Sequence, residues 1–145
     1  MRTRVFNGKE QIFCEWRHRW VRLTPEEWVR QQLLHRLVEQ LLYPASLIAV
    51  EVPFQSPITN PQSPINAKRY RADAVIYDRQ MQPQVLIECK AETVPLTQKT
   101  LDQALVYNRY LTVPWLILYN GPQTIVVHLA EGKIETSTTL PSYPL

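Results

Sequence analysis

Three charged side chains on two neighbouring predicted strands are the residues of this sequence best suited to chemistry. Glu88 and Lys90 close the apolar run VLIECK, and as residues i and i+2 of a strand they project to the same side. Asp73 lies in the preceding predicted strand. With the hairpin turn placed at 80–83, Asp73 falls at the level of Glu88 and Lys90. The spacing therefore predicts two carboxylates and one ammonium at one point.

Such a cluster needs a reason, because charged side chains are seldom buried unless they are paired or bind an ion. Two adjacent carboxylates repel, and one would be protonated unless a cation lay between them. Mg²⁺ and Mn²⁺ prefer oxygen ligands, and one or two carboxylates plus a substrate phosphate hold Mg²⁺. The ion would polarise a phosphoryl oxygen and lower the pKa of a bound water. Lys90 would add positive charge beside the phosphate.

The alternative needs no metal. Asp73 would be a solvated residue of an edge strand, and Glu88 and Lys90 would form ordinary cross-strand ion pairs. For any one of these residues alone this reading is the better one. For all three at matching depth on adjacent strands, we favour metal-assisted phosphodiester hydrolysis.

Two helices are predicted to flank these strands. The run TPEEWVRQ at 24–31 has the T-x-x-E pattern of a capping box, with proline at the first helical position. An apolar stripe at helical spacing follows as far as Leu41, and Tyr43-Pro44 ends it. A second helix is predicted over 97–111.

Alternating or apolar runs predict the strands. They lie at 12–14, 19–23, 46–54, 68–80, 84–90, 113–121 and 124–130. A strand, a helix and another strand normally form a right-handed crossover within one sheet. The sequence therefore predicts an α/β fold, a mixed β-sheet with a helix on each face.

The domain prediction is a single unit over 1–145. It has an N-terminal β-hairpin (1–23), a core (24–130) of αβββαβ order and an irregular tail (131–145). A turn at 131–133 leads into a short edge strand, IET (134–136), within that tail. The proline-rich segment 55–67 is predicted to be a protruding loop, and the sequence assigns it no role.

At this point the sequence resembles a known superfamily. Asp73 followed by Glu88-Cys89-Lys90 resembles the PD-(D/E)XK nuclease motif, with Ala72 where the motif often has proline. Gln103 and Tyr107 match the Q-x-x-x-Y element of its RecB-like branch. The TPEEWVRQ helix and the run KRYRAD resemble the N-terminal nuclease domain of type I restriction enzyme R (HsdR) subunits and stand-alone relatives.

The resemblance implies a restriction-endonuclease-like fold and DNA hydrolysis with Mg²⁺ or Mn²⁺. It makes Asp73 and Glu88 metal ligands, with the Cys89 main-chain carbonyl as a third. Lys90 would be the catalytic lysine. Glu27 on the first helix would complete the site.

The role of Glu27 has alternatives. Its place in the capping box explains it without any chemistry. Glu26 or Glu39 on the same helix could take the metal-site role instead.

Four further residues are candidates for bracing the site or contacting DNA. Gln103 and Tyr107 lie one helical turn apart and so on one face, although Tyr107 also fits as a packed aromatic. Arg69 and Arg71 flank Asp73 and could bind phosphates, although arginines are common on exposed strands.

Composition limits the other possibilities. The 145 residues carry a net charge of +3 with a pI near 9.0, which permits a polyanionic partner such as DNA. Cys14 and Cys89 lack metal-type spacing. No apolar run approaches the ~20 residues of a membrane span, so we expect a cytoplasmic protein. The absence of a Gly-rich phosphate loop predicts no ATP-driven translocation.

Three functions therefore stay open. The first is a metal-dependent deoxyribonuclease, either endonuclease or exonuclease, of restriction-enzyme-like type, with DNA as partner and a homodimer as one possible assembly. The second is a non-catalytic DNA-binding or assembly module that keeps the nuclease fold. The third is a structural domain that packs against a larger complex.

Overall fold

The computed structural model describes residues 1–55 and 69–145, without the side chains of Gln55 and Arg69. Its helices are α1 (Pro25–Glu39) and α2 (Gln98–Leu111). Its strands are β1 (Thr3–Phe6), β2 (Lys9–Cys14), β3 (Arg19–Arg22), β4 (Ile48–Gln55), β5 (Arg69–Tyr77), β6 (Pro83–Cys89), β7 (Trp115–Tyr119), β8 (Thr124–Ala130) and β9 (Lys133–Ser137). The loop predicted at 55–67 lies outside the described residues, apart from the backbone of Gln55.

The main sheet has six strands in the order β4-β5-β6-β7-β8-β9. Strands β6 and β7 pair in parallel, which is why α2 connects them, and the other neighbours pair antiparallel. The predicted mixed α/β sheet is confirmed. The short edge strand predicted at 134–136 is present as β9, which pairs with β8. The structure also extends the N-terminal hairpin to a three-stranded sheet, β1-β2-β3.

One helix covers each face of the main sheet, as predicted. Helix α1 packs its apolar stripe, which includes Val29, Leu33 and Leu37, into one core cluster. Helix α2 packs Ala104 into a second cluster with the opposite faces of the same strands. Strand β7 is buried on both sides, and its sequence WLILY is accordingly apolar throughout.

The capping signals define where both helices begin. Thr24 Oγ1 accepts a hydrogen bond from the Glu27 amide at 3.0 Å, and Thr97 and Thr100 form a reciprocal capping box on α2. Helix α1 ends at Glu39, two residues before the end of the apolar stripe. No helix among the described residues is long and apolar enough to cross a membrane.

Strand β4 changes faces at Glu51. Val50 packs in the α1-side core, yet Val52 packs in the α2-side core. In a regular strand, residues two apart share a face. Glu51 has φ +55°, a left-handed conformation that non-glycine residues rarely adopt, and lies level with Asp73 on β5. The change of faces at Glu51 therefore lies at the level where the predicted site residues gather.

Candidate active site

Asp73 lies in a fork between β5 and β6. The ladder between these strands runs from Tyr77 only as far as Ala74, which pairs with Ile87. Beyond it, Asp73 Oδ2 accepts a hydrogen bond from the Cys89 amide at 2.7 Å, so a carboxylate takes the place of the next ladder bond. The structure therefore brings Asp73 to the level of Glu88, where the hairpin argument placed it.

A small cavity of about 100 Å³ opens beside this fork on the α2 side of the sheet. Its lining includes five of the predicted site residues: Arg71, Glu88, Lys90, Gln103 and Tyr107. Strand β6 contributes Glu88, and Lys90 follows directly after the strand. One face of α2 contributes the Gln103 amide and the Tyr107 phenol. We call this cavity the cleft. Residues far apart in the sequence thus share one polar cleft.

Among the residues that line the cleft, Glu88 has the most unusual electrostatic environment. Its Oε1 is buried and has no hydrogen-bond partner among the described residues. Burial first and the neighbouring Asp73 carboxylate second raise the pKa of Glu88 to about 9, although the nearby Lys90 lowers it. A buried polar atom without a partner is rare because desolvation is costly. This oxygen is therefore available to a cation.

Gln103 and Tyr107 are joined to one another. Gln103 Nε2 donates to the Tyr107 hydroxyl at 2.7 Å, across one turn of α2. The Tyr107 ring also packs against Tyr70, with centroids 4.6 Å apart, and against Phe54 at 6.2 Å. Both interpretations of Tyr107 describe part of its environment, since its ring is packed while its hydroxyl lines the cleft.

A buried guanidinium holds the acidic residues behind the cleft. Arg30 on α1 donates to both carboxylate oxygens of Glu27, at 3.0 and 2.8 Å. It also contacts Asp73 Oδ1 at 3.3 Å and Glu51 Oε1 at 3.5 Å. Arg17, from the turn between β2 and β3, binds Glu27 and reaches Glu51 at 3.4 Å. We call these five residues the Arg30 cluster.

The acidic residues of α1 occupy different environments. Burial favours protonated Glu27, but hydrogen bonds from Arg30 and Arg17 outweigh it and lower the pKa of Glu27. For Glu26, burial first and then the Asp73 charge raise the pKa, while Lys90 lowers it. Glu26 is therefore the α1 acid whose pKa is changed by the charges of Asp73 and Lys90. Glu39 is 70% exposed and contacts His35 instead.

The remaining predicted site residues are Arg71, Arg69 and Cys89. The Arg71 side chain is 66% exposed and lies 4.0 Å from Glu51 Oε2. Arg69 begins β5, and its side chain is outside the described residues. The Cys89 side chain is buried on the α1 side of the sheet, so only its backbone faces the fork.

The sequence reasoning missed Arg17, Arg30 and Glu51. A signal existed for Arg30, because it lies three residues after Glu27 and four before the buried Leu34, on one helix face. Glu51 was visible as the lone charge in the apolar run SLIAVEVPF. Nothing in the local sequence around Arg17 indicated its buried partners.

The donor set fits a hard divalent cation that shares its coordination with a substrate. In the described part of the chain, no three His, Cys, Asp or Glu side chains gather at one point as a closed metal site would require. Asp73 and Glu88 supply two carboxylates, one with a buried oxygen lacking a partner. Mg²⁺ is commonly held by one or two carboxylates and completed by phosphate and water.

A mixed sheet between two helices, with Asp, Glu and Lys at a strand fork, defines the restriction-endonuclease-like class. Residues 25–144 match the family described as the type I restriction enzyme R protein N terminus (HSDR_N), and the chain belongs to that family. No curated protein is similar enough to count as a relative of this chain.

A solved structure shares the fold. It is a fragment assigned as an HsdR subunit of a type I restriction enzyme from Vibrio vulnificus YJ016, and it is 17% identical with a TM-score of 0.56. The similarity covers 81% of this chain but only 23% of that one. At this identity the match shows the common fold alone.

The raised pKa of Glu88 predicts a pH-dependent stability. The folded pKa of about 9 exceeds the ordinary 4.5, so the native state holds this proton more tightly than the unfolded chain does. Its stabilising contribution is complete below pH 4.5 and is lost as pH rises towards 9. Relative to wild type, Glu88→Gln should gain up to about 1.4 kcal/mol of unfolding free energy per pH unit in that range.

Urea unfolding in EDTA, from pH 5 to pH 9, measures this gain. Glu92→Gln, at an exposed position, serves as the matched control and should run parallel to wild type. A constant difference between Glu88→Gln and wild type across that range would contradict the raised pKa.

The Arg30 cluster predicts a large loss of stability when its buried guanidinium is removed. Arg30→Met leaves Asp73 without its buried cation and Glu27 with Arg17 alone, which costs about 3–5 kcal/mol. Arg36→Met, at an exposed position of α1, should change the unfolding free energy by less than about 0.5 kcal/mol. Equal losses for the two variants, in chemical denaturation at pH 7, would show that the cluster is not stabilising.

Proposed function

We propose that this chain is a Mg²⁺- or Mn²⁺-dependent deoxyribonuclease that hydrolyses a phosphodiester of DNA. The observation that supports this most is the cleft itself, in which Glu88, Lys90, Gln103 and Tyr107 meet beside Asp73. Membership of the type I restriction enzyme R N-terminal family supports a nuclease of restriction-enzyme-like type.

In this proposal, Asp73 and Glu88 hold the divalent ion through carboxylate oxygens. The Cys89 carbonyl is a third ligand, and an acid of α1 completes the set. A bound Mg²⁺ would polarise the scissile phosphate and lower the pKa of a water molecule. Asp73 already has one oxygen fixed by the Cys89 amide, which orients its carboxylate in the fork.

Lys90 is the catalytic residue with positive charge. It lines the same cavity as Glu88, so its ammonium can lie next to a phosphate held there. Its charge stabilises the negative charge that develops on the phosphoryl oxygens during attack. Removal of one such preorganised group typically slows a reaction about 10²–10³-fold.

The residues proposed to contact DNA lie around the opening of the cleft. Arg71 is largely exposed and lines the cavity, so it can contact a phosphate. Arg69 is proposed for the same role by its position on β5. Tyr107 and Tyr70 present packed rings at the edge, and Gln103 holds the Tyr107 hydroxyl in place.

One observation favours the alternative, a non-catalytic DNA-binding or assembly module. Arg30 Nη1 lies 3.3 Å from Asp73 Oδ1 and so occupies one oxygen of a proposed metal ligand. A guanidinium there partly replaces the charge that a metal would supply. The module would bind DNA without cutting it.

Calorimetry with Mg²⁺ and cleavage of plasmid DNA test the proposal on the same samples. Wild type should bind the ion and cut, and Asp73→Asn should do neither because it loses a ligand. Lys90→Met should still bind Mg²⁺ but cut at least about 100-fold more slowly. Lys99→Met, at an exposed position of α2, is the control and should cut normally.

Two results would overturn the nuclease. A wild type that binds DNA tightly but cuts nothing with Mg²⁺ or Mn²⁺ would establish the binding module. Cleavage that survives Asp73→Asn would place the chemistry elsewhere.

The two α1 acids can be separated by Glu26→Gln and Glu27→Gln. We expect Glu26→Gln to weaken Mg²⁺ binding about tenfold with little effect on stability, because Glu26 senses Asp73 and Lys90 from an exposed position. Glu27→Gln should chiefly lower stability, because it leaves Arg30 without its main partner. Calorimetry and urea unfolding together make the comparison, and the reverse pattern would make Glu27 the ligand.

A further inference from the structure

The three-stranded N-terminal sheet has one face without acidic side chains. Side chains alternate between the faces of a strand, and the register aligns Arg4 with Gln11 and Arg22, and Phe13 with Trp20. We call this side the open face. Its residues are Arg2, Arg4, Phe6, Lys9, Gln11, Phe13, Trp20 and Arg22.

Direct contacts show that these side chains lie together. The Arg2 guanidinium lies 4.1 Å from the centre of the Phe13 ring, and the Arg4 guanidinium lies 4.3 Å from that of Trp20. Phe13 and Trp20 themselves meet edge to face, with centroids 5.5 Å apart. All eight residues of the open face are exposed or only half-buried. The four cations and three aromatic rings are therefore accessible.

The other face of the same sheet is anchored to the protein. Ile12 and Cys14 are fully buried. Arg17, in the turn after β2, donates to the Cys14 sulfur at 3.2 Å and enters the Arg30 cluster. The face opposite the open face therefore holds the sheet against the domain. Packing against the domain does not explain the composition of the open face.

The sheet also lies outside the family match. That match begins at residue 25, whereas β1–β3 lie between Thr3 and Arg22. None of the open-face residues lines the cleft beside Asp73. The open face is therefore covered neither by the family match nor by the proposed active site.

This chemistry matches an unpaired nucleic-acid strand. Aromatic rings and arginine planes stack on bases, and a base in a single strand has its π-face available. Cationic side chains on the same surface neutralise the phosphates between those bases. An acidic peptide would satisfy the cations but would give the exposed Phe6 ring and the half-buried Phe13 and Trp20 rings no planar partner.

We propose that the open face binds a single-stranded segment of nucleic acid. Bases stack against Phe6, Phe13 and Trp20, directly or through the guanidinium planes of Arg2 and Arg4. Phosphates lie along the cationic side chains, which are Arg2, Arg4, Lys9 and Arg22. The proposal goes beyond the nuclease function and does not depend on it.

An adjoining groove limits where the strand lies. A groove of about 760 Å³ begins at Arg2 and Phe13 and continues between the sheet and α1. Glu15 and Glu39 also line it, and their carboxylates repel phosphate. The strand is therefore placed on the sheet and not in the groove.

Fluorescence anisotropy with a labelled oligo-dT of about 12 nucleotides tests the proposal. The full chain is used in EDTA, so that cleavage does not interfere and failure of the nuclease proposal leaves the result readable. Arg4→Ser and Trp20→Leu should each weaken binding at least about fivefold. Arg19→Ser, one residue before Trp20 and on the opposite face, removes the same charge and should stay within about twofold of wild type.

The salt dependence counts the phosphate contacts. For single strands the slope of log K against log salt is about −0.7 per contact, so four cations predict about −2.8. The double variant Arg2→Ser, Arg4→Ser should reduce the slope to about −1.4. Circular dichroism confirms that each variant is folded, and the exposed Arg4→Ser keeps the test decisive if Trp20→Leu does not fold.

Three results would overturn the proposal. Equal binding of oligo-dT, a duplex of the same length and heparin would show a general polyanion surface. Equal losses for Arg4→Ser and Arg19→Ser would show that the open face is not the binding site. Binding to phosphatidylserine vesicles without binding to oligo-dT would make the partner a membrane surface.

Discussion

Three carboxylates cannot share one largely buried corner of a protein unless positive charge lies among them. Glu27, Glu51 and Asp73 meet such a requirement through Arg30, which contacts all three, with Arg17 as a second cation for the first two. Desolvation makes each unpaired charge expensive, and the guanidinium offsets this by several charge-assisted hydrogen bonds at once. The Arg30 cluster thereby joins the turn after β2, helix α1 and strands β4 and β5.

The cleft lies at the level of this cluster. Glu51 reaches the cluster in a left-handed conformation, and β4 changes faces at that residue. At the same level the β5–β6 ladder ends, and the Asp73 carboxylate bonds the Cys89 amide. Backbone strain of this kind is often found where function places a side chain against local preference. At this fork Glu88 retains an oxygen without a partner among the described residues.

Glu27 in the Arg30 cluster and Glu88 in the cleft have contrasting electrostatic environments. Glu27 is bound by two arginines, Arg17 and Arg30. Glu88 has the opposite character, since burial and Asp73 hold its pKa at about 9. The buried Oε1 of Glu88 has no partner among the described residues, whereas both oxygens of Glu27 accept hydrogen bonds from Arg30. Asp73 lies between the two, since it contacts Arg30 on one side and the Cys89 amide on the other.

The sequence by itself determined the elements and the main grouping. Capping residues and apolar periodicity defined both helices, and β-branched and apolar runs defined the main strands, because these signals are local. The hairpin level of Asp73 and Glu88 followed from counting back from one turn, which is also local. The order D…ExK…QxxxY then indicated the family, and the match over residues 25–144 confirms it.

Only the tertiary structure decided how charge is partitioned around the site. Glu26 and Glu27 are adjacent in the sequence, and nothing local indicates which one meets Arg30 and which one senses Asp73. The partners of Arg17, and the assembly of Arg2, Arg4, Phe13 and Trp20 on one open face, depend on strand register and on the docking of the N-terminal sheet. Electrostatic environment depends on distances between segments remote in the chain, so it appears only once the chain has folded.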